Sequence, residues 1–131
     1  MGNSKRRDIP LFATPLIETH CHLDYLEPEA LQDTLLRARS VGVERIVTIA
    51  VSADNLDRVL ALTRRAPDIW GTQGIHPHEA EGFNARVAAR IREQAQDARI
   101  VAIGEIGLDY YYDHADRSVQ RKVFAAQLAL A

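Results

Sequence analysis

Apolar, β-branched runs alternate four times with amphipathic helical segments along this chain, and that alternation restricts its fold more than any other feature. The runs at 16–19, 43–50, 69–73 and 100–104 read as strands. Val43, Ile46, Val47 and Ile49, and later Ile100, Val101 and Ile103, give the apolar character of buried parallel strands, whereas Gly71 weakens the third run. Pro28 opens the first helix at the position where its missing N–H costs nothing; Leu31, Leu35 and Ala38 line one face, and Gly42 ends it. Ser52 caps a second helix with Leu56, Leu60 and Thr63 inward and Pro67 closing it. Phe83, Val87 and Ile91 mark a third, with Arg86, Arg90 and Arg92 outside, and a fourth runs from about Arg117 with Phe124 and Leu128 inward. This order predicts a parallel sheet with right-handed crossovers.

The chemistry-bearing residues gather just after the strands. His20 and His22 follow the first, His76 and His78 the third, Glu105 and Asp109 the fourth. Proteins of this class place their sites at that edge. An open sheet collects its ligand at one switch point; three equipped strand ends favour a barrel with a shared centre. A complete barrel has eight units in typically about 250 residues. Four are legible here, and the last helix shows neither a C-cap glycine nor terminal cations. The expected fold class is α/β, the first four βα units of a truncated (β/α)8 TIM barrel. Residues 1–15 read as an extended leader and 16–131 as the half-barrel.

Residues two apart on a strand share a face, so His20 and His22 aim two imidazoles at one point while Cys21 points away. Such a pair suits a divalent metal, and Glu105 can add a carboxylate, which reads as part of a metal-dependent hydrolase. The plain alternatives are two polar strand-end histidines with no metal, and a glutamate between glycines that caps a turn. His76 and His78 flank Pro77 and either face substrate or belong to a histidine-bearing turn. Asp24 and Asp109 either orient histidines from behind or cap the segments that follow. Tyr110, Tyr111 and Tyr112 are expected to pack the rim in preference to stacking on a base, and His114 to face solvent. Cys21 reads as a small buried hydrophobe, not a nucleophile.

Composition excludes several classes. Apolar residues at 47% and charged residues at 26% describe a globular chain, not a disordered one. A formal charge of −2 leaves no general basic surface, so any nucleic-acid contact is local to a site. One cysteine excludes an internal disulfide and points to a reducing compartment. No apolar run approaches the roughly 20 residues of a membrane span. No secretory signal opens the chain; Arg6 disfavours myristoylation at Gly2, and Lys5-Arg6-Arg7 is too short to argue nucleic-acid binding. The expected location is the cytoplasm, with no membrane partner.

Three motifs together resemble the TatD family of metal-dependent deoxyribonucleases: Thr19-His20-Cys21-His22-Leu23-Asp24, Gly74-Ile75-His76-Pro77-His78, and Gly104-Glu105-Ile106-Gly107-Leu108-Asp109-Tyr110-Tyr111. The tail carrying Gln120, Phe124, Gln127, Leu128 and Ala131 matches as well, so the resemblance runs from about residue 16 to the end. It implies a metallo-hydrolase TIM barrel in which His20 and His22 bind one metal and Glu105 binds or bridges two. The further ligands the family draws from the second half of its barrel are not present here. A bridging carboxylate would hold two divalent ions (Mg, Mn or Zn) about 3.5–4 Å apart, a spacing suited to phosphoryl chemistry. On this pattern Glu105 and His76 are the catalytic candidates, and His76 and His78 the substrate-binding ones. The chain departs at Glu18, where the family more often has Asp, with a minor effect expected.

The implied activity is hydrolysis of DNA phosphodiester bonds, with single-stranded ends entering the barrel mouth. One alternative is the same scaffold acting on an amide or a small phosphoester. Another is a non-catalytic half-barrel fragment that self-associates through exposed half-barrel edges. On the leading reading too, this chain alone is expected to be inactive because later ligands are missing.

Overall fold

The computed structural model describes residues 8–131. Strands β1 (Leu16–Cys21), β2 (Val43–Thr48), β3 (Ile69–Gln73) and β4 (Ile100–Ile103) lie side by side in that order, each parallel to its neighbour. Helices α1 (Pro28–Ser40), α2 (Leu56–Leu62) and α3 (Ala85–Gln94) form the crossovers, and α4 (Arg117–Leu128) follows β4. A doubly wound sheet reverses its strand order at a switch point. This sheet never reverses, which is the order of a barrel wall. Residues 8–15 contain neither helix nor strand, although the Phe12 N–H donates to the Val41 carbonyl at 3.1 Å. The expectations for Gly2 and for Lys5 to Arg7 lie outside the described residues.

Local sequence accounts for most of these elements. Pro28 sits in the first turn of α1, Leu31 and Leu35 are its buried residues, and Gly42 adopts a φ of 97° just beyond its end. Those leucines pack with Leu23, Ile46 and Ile69, joining α1 to β2 and β3. A second cluster of Ala50, Leu56, Val59, Ile75, Val87 and Ile91 joins α2 and α3 to the ends of β2 and β3. Burying such side chains is worth roughly 1.5–3 kcal/mol each, which outweighs the weak helix propensity of short elements such as α2.

Four expectations need correction. Ser52 does not cap α2; Asn55 holds that position, and its Oδ1 turns back to accept from the Val51 and Ser52 N–H groups at 2.9 and 3.1 Å. Val59 is the fully buried partner of Leu56, while Leu60 is half-buried. Phe83 precedes α3, whose start is set by Asn84 Oδ1 accepting from the Val87 N–H at 3.0 Å. Finally, α4 turns Gln120, Val123 and Gln127 inward; Phe124 is half-buried and Leu128 is 52% exposed. The glutamines displace the apolar residues because each has a main-chain partner waiting, as shown below.

The outer strands are β1 and β4. Ile17 on one and Val101 on the other are each 54% exposed. Among the described residues no helix is long and apolar enough to cross a membrane.

Candidate metal centre

The carboxyl ends of the strands are laced together by main-chain bonds that converge on residues 49–51. The Cys21 carbonyl accepts from the Ile49 N–H at 3.0 Å, the Ala50 carbonyl from the Glu105 N–H at 2.9 Å, and the Val51 carbonyl from the His76 N–H at 2.8 Å. Thr72 Oγ1 accepts from the Ala50 N–H at 3.1 Å and donates to the Gly104 carbonyl at 2.6 Å. The end of β2 therefore contributes no reactive side chain, yet its backbone positions the residues of the other three strand ends. Sequence reasoning missed this role because backbone donors and acceptors leave no residue-type signature. Gly74 is required by the same crowding, since a Cβ there would lie 2.6 Å from the Gly104 carbonyl carbon.

On this frame the side chains meet. His20 Nε2 lies 3.4 Å from Glu105 Oε2, and His76 Nε2 lies 3.5 Å from Glu105 Oε1. His20, His22 and Glu105 each offer a donor atom within 4.8 Å of the others. A cavity of about 380 Å³ is lined by these three residues with His76, His78 and Tyr25. The Glu18 carboxylate accepts from the His20 main-chain N–H at 3.0 Å, so this departure from the family pattern is engaged locally.

The donor set fits a divalent cation. His22 Nδ1 is buried without a hydrogen-bond partner, a costly arrangement unless something else occupies its lone pair or takes its proton. Among the described residues no lysine or arginine pairs with Glu105, so its charge is met only by imidazoles. Two imidazoles and an unneutralised carboxylate are a borderline-soft, anionic ligand set of the kind such ions select.

His76 and His78 come together at the same edge. Their ring centroids are 4.4 Å apart, and His76 Nδ1 accepts from the His78 main-chain N–H at 3.0 Å. That bond leaves the neutral ring's proton on Nε2, facing Glu105. Burial lowers the His76 pKa and outweighs the pull of Glu105, so the ring is neutral at pH 7. His78 Nε2 pairs with Asp109 Oδ2 at 2.7 Å. The Tyr112 main-chain N–H, then His78, hold the Asp109 carboxyl below the usual aspartate range.

Asp24 does not reach a histidine through a hydrogen bond. The short 3₁₀ turn Leu23–Tyr25 carries it inward, where it accepts from Asn55 Nδ2 at 3.0 Å. Cys21 lies half-buried beside the Leu31 cluster, and burial pushes its thiol up to about 11. His114 is exposed. Of the tyrosines, Tyr110 lies under the Arg117 guanidinium, while Tyr111 and Tyr112 are 88% and 65% exposed and do not pack as a rim. Two residues that sequence reasoning placed only in a tail motif serve the site: from α4, Gln127 grips the main chain of Ile75 and Gln120 that of Asp109.

Sequential parallel βα units with an imidazole–imidazole–carboxylate set at their carboxyl edge define one wall of a (β/α)8-type barrel that carries a candidate metal centre. The family model described as TatD related DNase matches residues 17–131, and the chain belongs to that family. A 3'-5' ssDNA/RNA exonuclease TatD of Cronobacter turicensis is 38% identical over 99 residues, covering 76% of this chain and 38% of that protein. An uncharacterized metal-dependent hydrolase of Bacillus subtilis, YabD, is 33% identical over 117 residues, covering 88% and 46%. The crystal structure of the TatD homologue YJJV from Escherichia coli superposes with a TM-score of 0.76 at 34% identity, over 88% of this chain and 46% of that one. The chain thus spans less than half the length of these relatives. Its four βα units correspond to the first units of a TatD barrel.

Proposed function

We propose that these residues form part of a two-metal site that hydrolyses phosphodiester bonds in nucleic acid, with single-stranded DNA ends as substrate. The observation that carries this reading is the Glu105 carboxylate, placed between His20 and His76 with one oxygen toward each. The names of the similar exonucleases support the substrate class. Bound by His20, His22 and Glu105, divalent ions such as Mg²⁺, Mn²⁺ or Zn²⁺ would supply a hydroxide at neutral pH and neutralise charge on the phosphate. The protein's own groups do the rest. Glu105 offers its second oxygen to the shared point, and neutral His76 donates from Nε2 across the same gap. His78, held by Asp109, presents a second imidazole at the edge of the cavity.

Three clustered donors are fewer than two ions require, so the chain by itself should bind a first ion and be close to inactive, with any cleavage visible only at enzyme excess. The test is calorimetry with Mn²⁺, followed by cleavage of an end-labelled single-stranded oligonucleotide at enzyme excess. The reading expects binding and slow cleavage, both lost in Glu105→Ala and in the His20→Ala/His22→Ala double variant. Cleavage that survives the double variant would refute it, as would turnover of amide substrates with none of DNA.

A further inference from the structure

We infer that the loop after β4 is a stacking platform for the bases of a single-stranded nucleic acid, with Tyr111 and Tyr112 offering their rings beside the donor cluster. The inference rests on the phosphodiesterase reading and adds to it the group that recognises the substrate.

These rings are exposed on a loop that is pinned from several sides. Asp109 Oδ1 accepts from the main-chain N–H groups of both Tyr111 and Tyr112 at 3.0 Å, while its other oxygen pairs with His78. Asp109 is itself held, because Gln120 Oε1 accepts from its N–H at 2.9 Å and Gln120 Nε2 donates to its carbonyl at 3.0 Å. Asp113 takes a φ of 56°, and Arg117 Nε donates to its carboxylate at 3.1 Å, closing the turn onto α4.

Tyr110 shows what an occupied ring looks like on this loop. The Arg117 guanidinium sits 4.6 Å over its face, and Arg121 Nη1 donates to its hydroxyl at 3.2 Å. Among the described residues no guanidinium covers the Tyr111 or Tyr112 ring and no hydrogen bond holds either hydroxyl, although the His114 ring lies 6.0 Å from that of Tyr112 with 21° between the planes. They meet each other edge to face with centroids 4.8 Å apart, and Tyr111 leaves nearly its whole ring to solvent.

The platform is continuous with the site. Tyr112 lies 5.8 Å from His78, whose ring is 4.4 Å from His76, whose Nε2 is 3.5 Å from Glu105. On the opposite flank Tyr25, 68% exposed, stacks on His22 at 4.8 Å with 12° between the planes. Aromatic rings therefore flank the cluster on both sides. Every base has a flat π-face, so stacking is tolerant of sequence, but those faces are free only in a single strand. Charge argues the same way. Arg117 is spent on Asp113, and Asp109, Asp113 and Asp116 offset Arg117, Arg121 and Lys122 on the same segment, so this segment presents no basic strip to grip a duplex backbone.

The test is fluorescence anisotropy of labelled oligothymidylate and of a matched duplex, in EDTA, with the wild-type chain and the Tyr111→Ala, Tyr112→Ala, Tyr111→Phe and Tyr112→Phe variants. The single strand should bind in preference to the duplex. Each alanine should weaken it roughly tenfold, and each phenylalanine should restore it to within about twofold, because the ring and not the hydroxyl stacks. Absence of single-strand binding would overturn the inference, and so would alanine variants that bind like wild type. Variants that change only the oligomeric state in light scattering would overturn it as well, by assigning the rings to a protein contact. Mn²⁺-dependent hydrolysis of a nitrophenyl phosphodiester by the wild-type chain separates the two ideas: its absence counts against the phosphodiesterase reading, not against the platform.

Discussion

Gln127 closes both main-chain hydrogen-bonding groups of Ile75, accepting from its N–H at 2.7 Å and donating to its carbonyl at 3.0 Å. The two residues are 52 positions apart, and both are 1% exposed. A side-chain amide matches a peptide group donor for acceptor, so α4 docks on the loop before His76 as an extra strand would.

Replacing Gln127 by Leu should therefore cost about 2–4 kcal/mol, since two buried peptide groups lose their partners. Urea denaturation measures the loss. Hydrogen exchange at the Ile75 amide should accelerate more than at the Ile49 amide, whose bond to Cys21 lies away from α4.

Gly74→Ala should act on the site through the backbone. The new methyl would stand 2.6 Å from Gly104, the residue that precedes Glu105, and neither strand end can yield without moving the carboxylate. Overpacking of this kind costs about 1–3 kcal/mol. Mn²⁺ affinity measured by calorimetry should fall with it, although the substitution touches no ligand.

Added Mn²⁺ should raise the thermal midpoint of the wild-type chain, because an ion bound only by the folded state stabilises it by about 2.7 kcal/mol at a hundredfold excess over Kd. Chelation should reverse the rise. Glu105→Ala should show none, and an equal rise in that variant would place the ion elsewhere.

The Asp109 loop should open in acid. The folded-state pKa of Asp109 is depressed, first by the Tyr112 N–H, so its contribution is present above the unfolded value of about 3.9 and is lost as pH falls through the lower folded value. The Tyr111 and Tyr112 amide resonances should shift as pH falls below about 4. In Asp109→Asn that step should be missing from the titration.

The isolated chain should self-associate. Among the described residues the β1 and β4 edges have no neighbouring strand, and Ile17 and Val101 stand exposed on them. Light scattering should give a mass above that of a monomer, and Ile17→Lys with Val101→Lys should lower it. A clean monomer would contradict this expectation.

Periodicity made the order of elements, the parallel sheet and most helix faces legible, because burial of one face in every element leaves its mark in residue type. The apolar stripe of α1 and the extent of β3 need no correction. α4 was the exception: hydrophobicity pointed to Phe124 and Leu128, but two glutamines were buried instead, since the gain comes from specific peptide partners that lie far away in sequence.

That His20, His22 and Glu105 bring donor atoms to one place was likewise legible in the sequence, through strand-end position and side-chain chemistry. Which groups they would face was not. That Asp24 turns to Asn55, that Asp109 takes His78, and that His76 lies against Glu105 depend on where three strand ends and a 3₁₀ turn come to rest. Local sequence determines which residues a strand end presents; only the lacing of those ends through the backbone of residues 49–51 decides which of them meet, because hydrogen bonds between peptide groups are blind to side-chain identity.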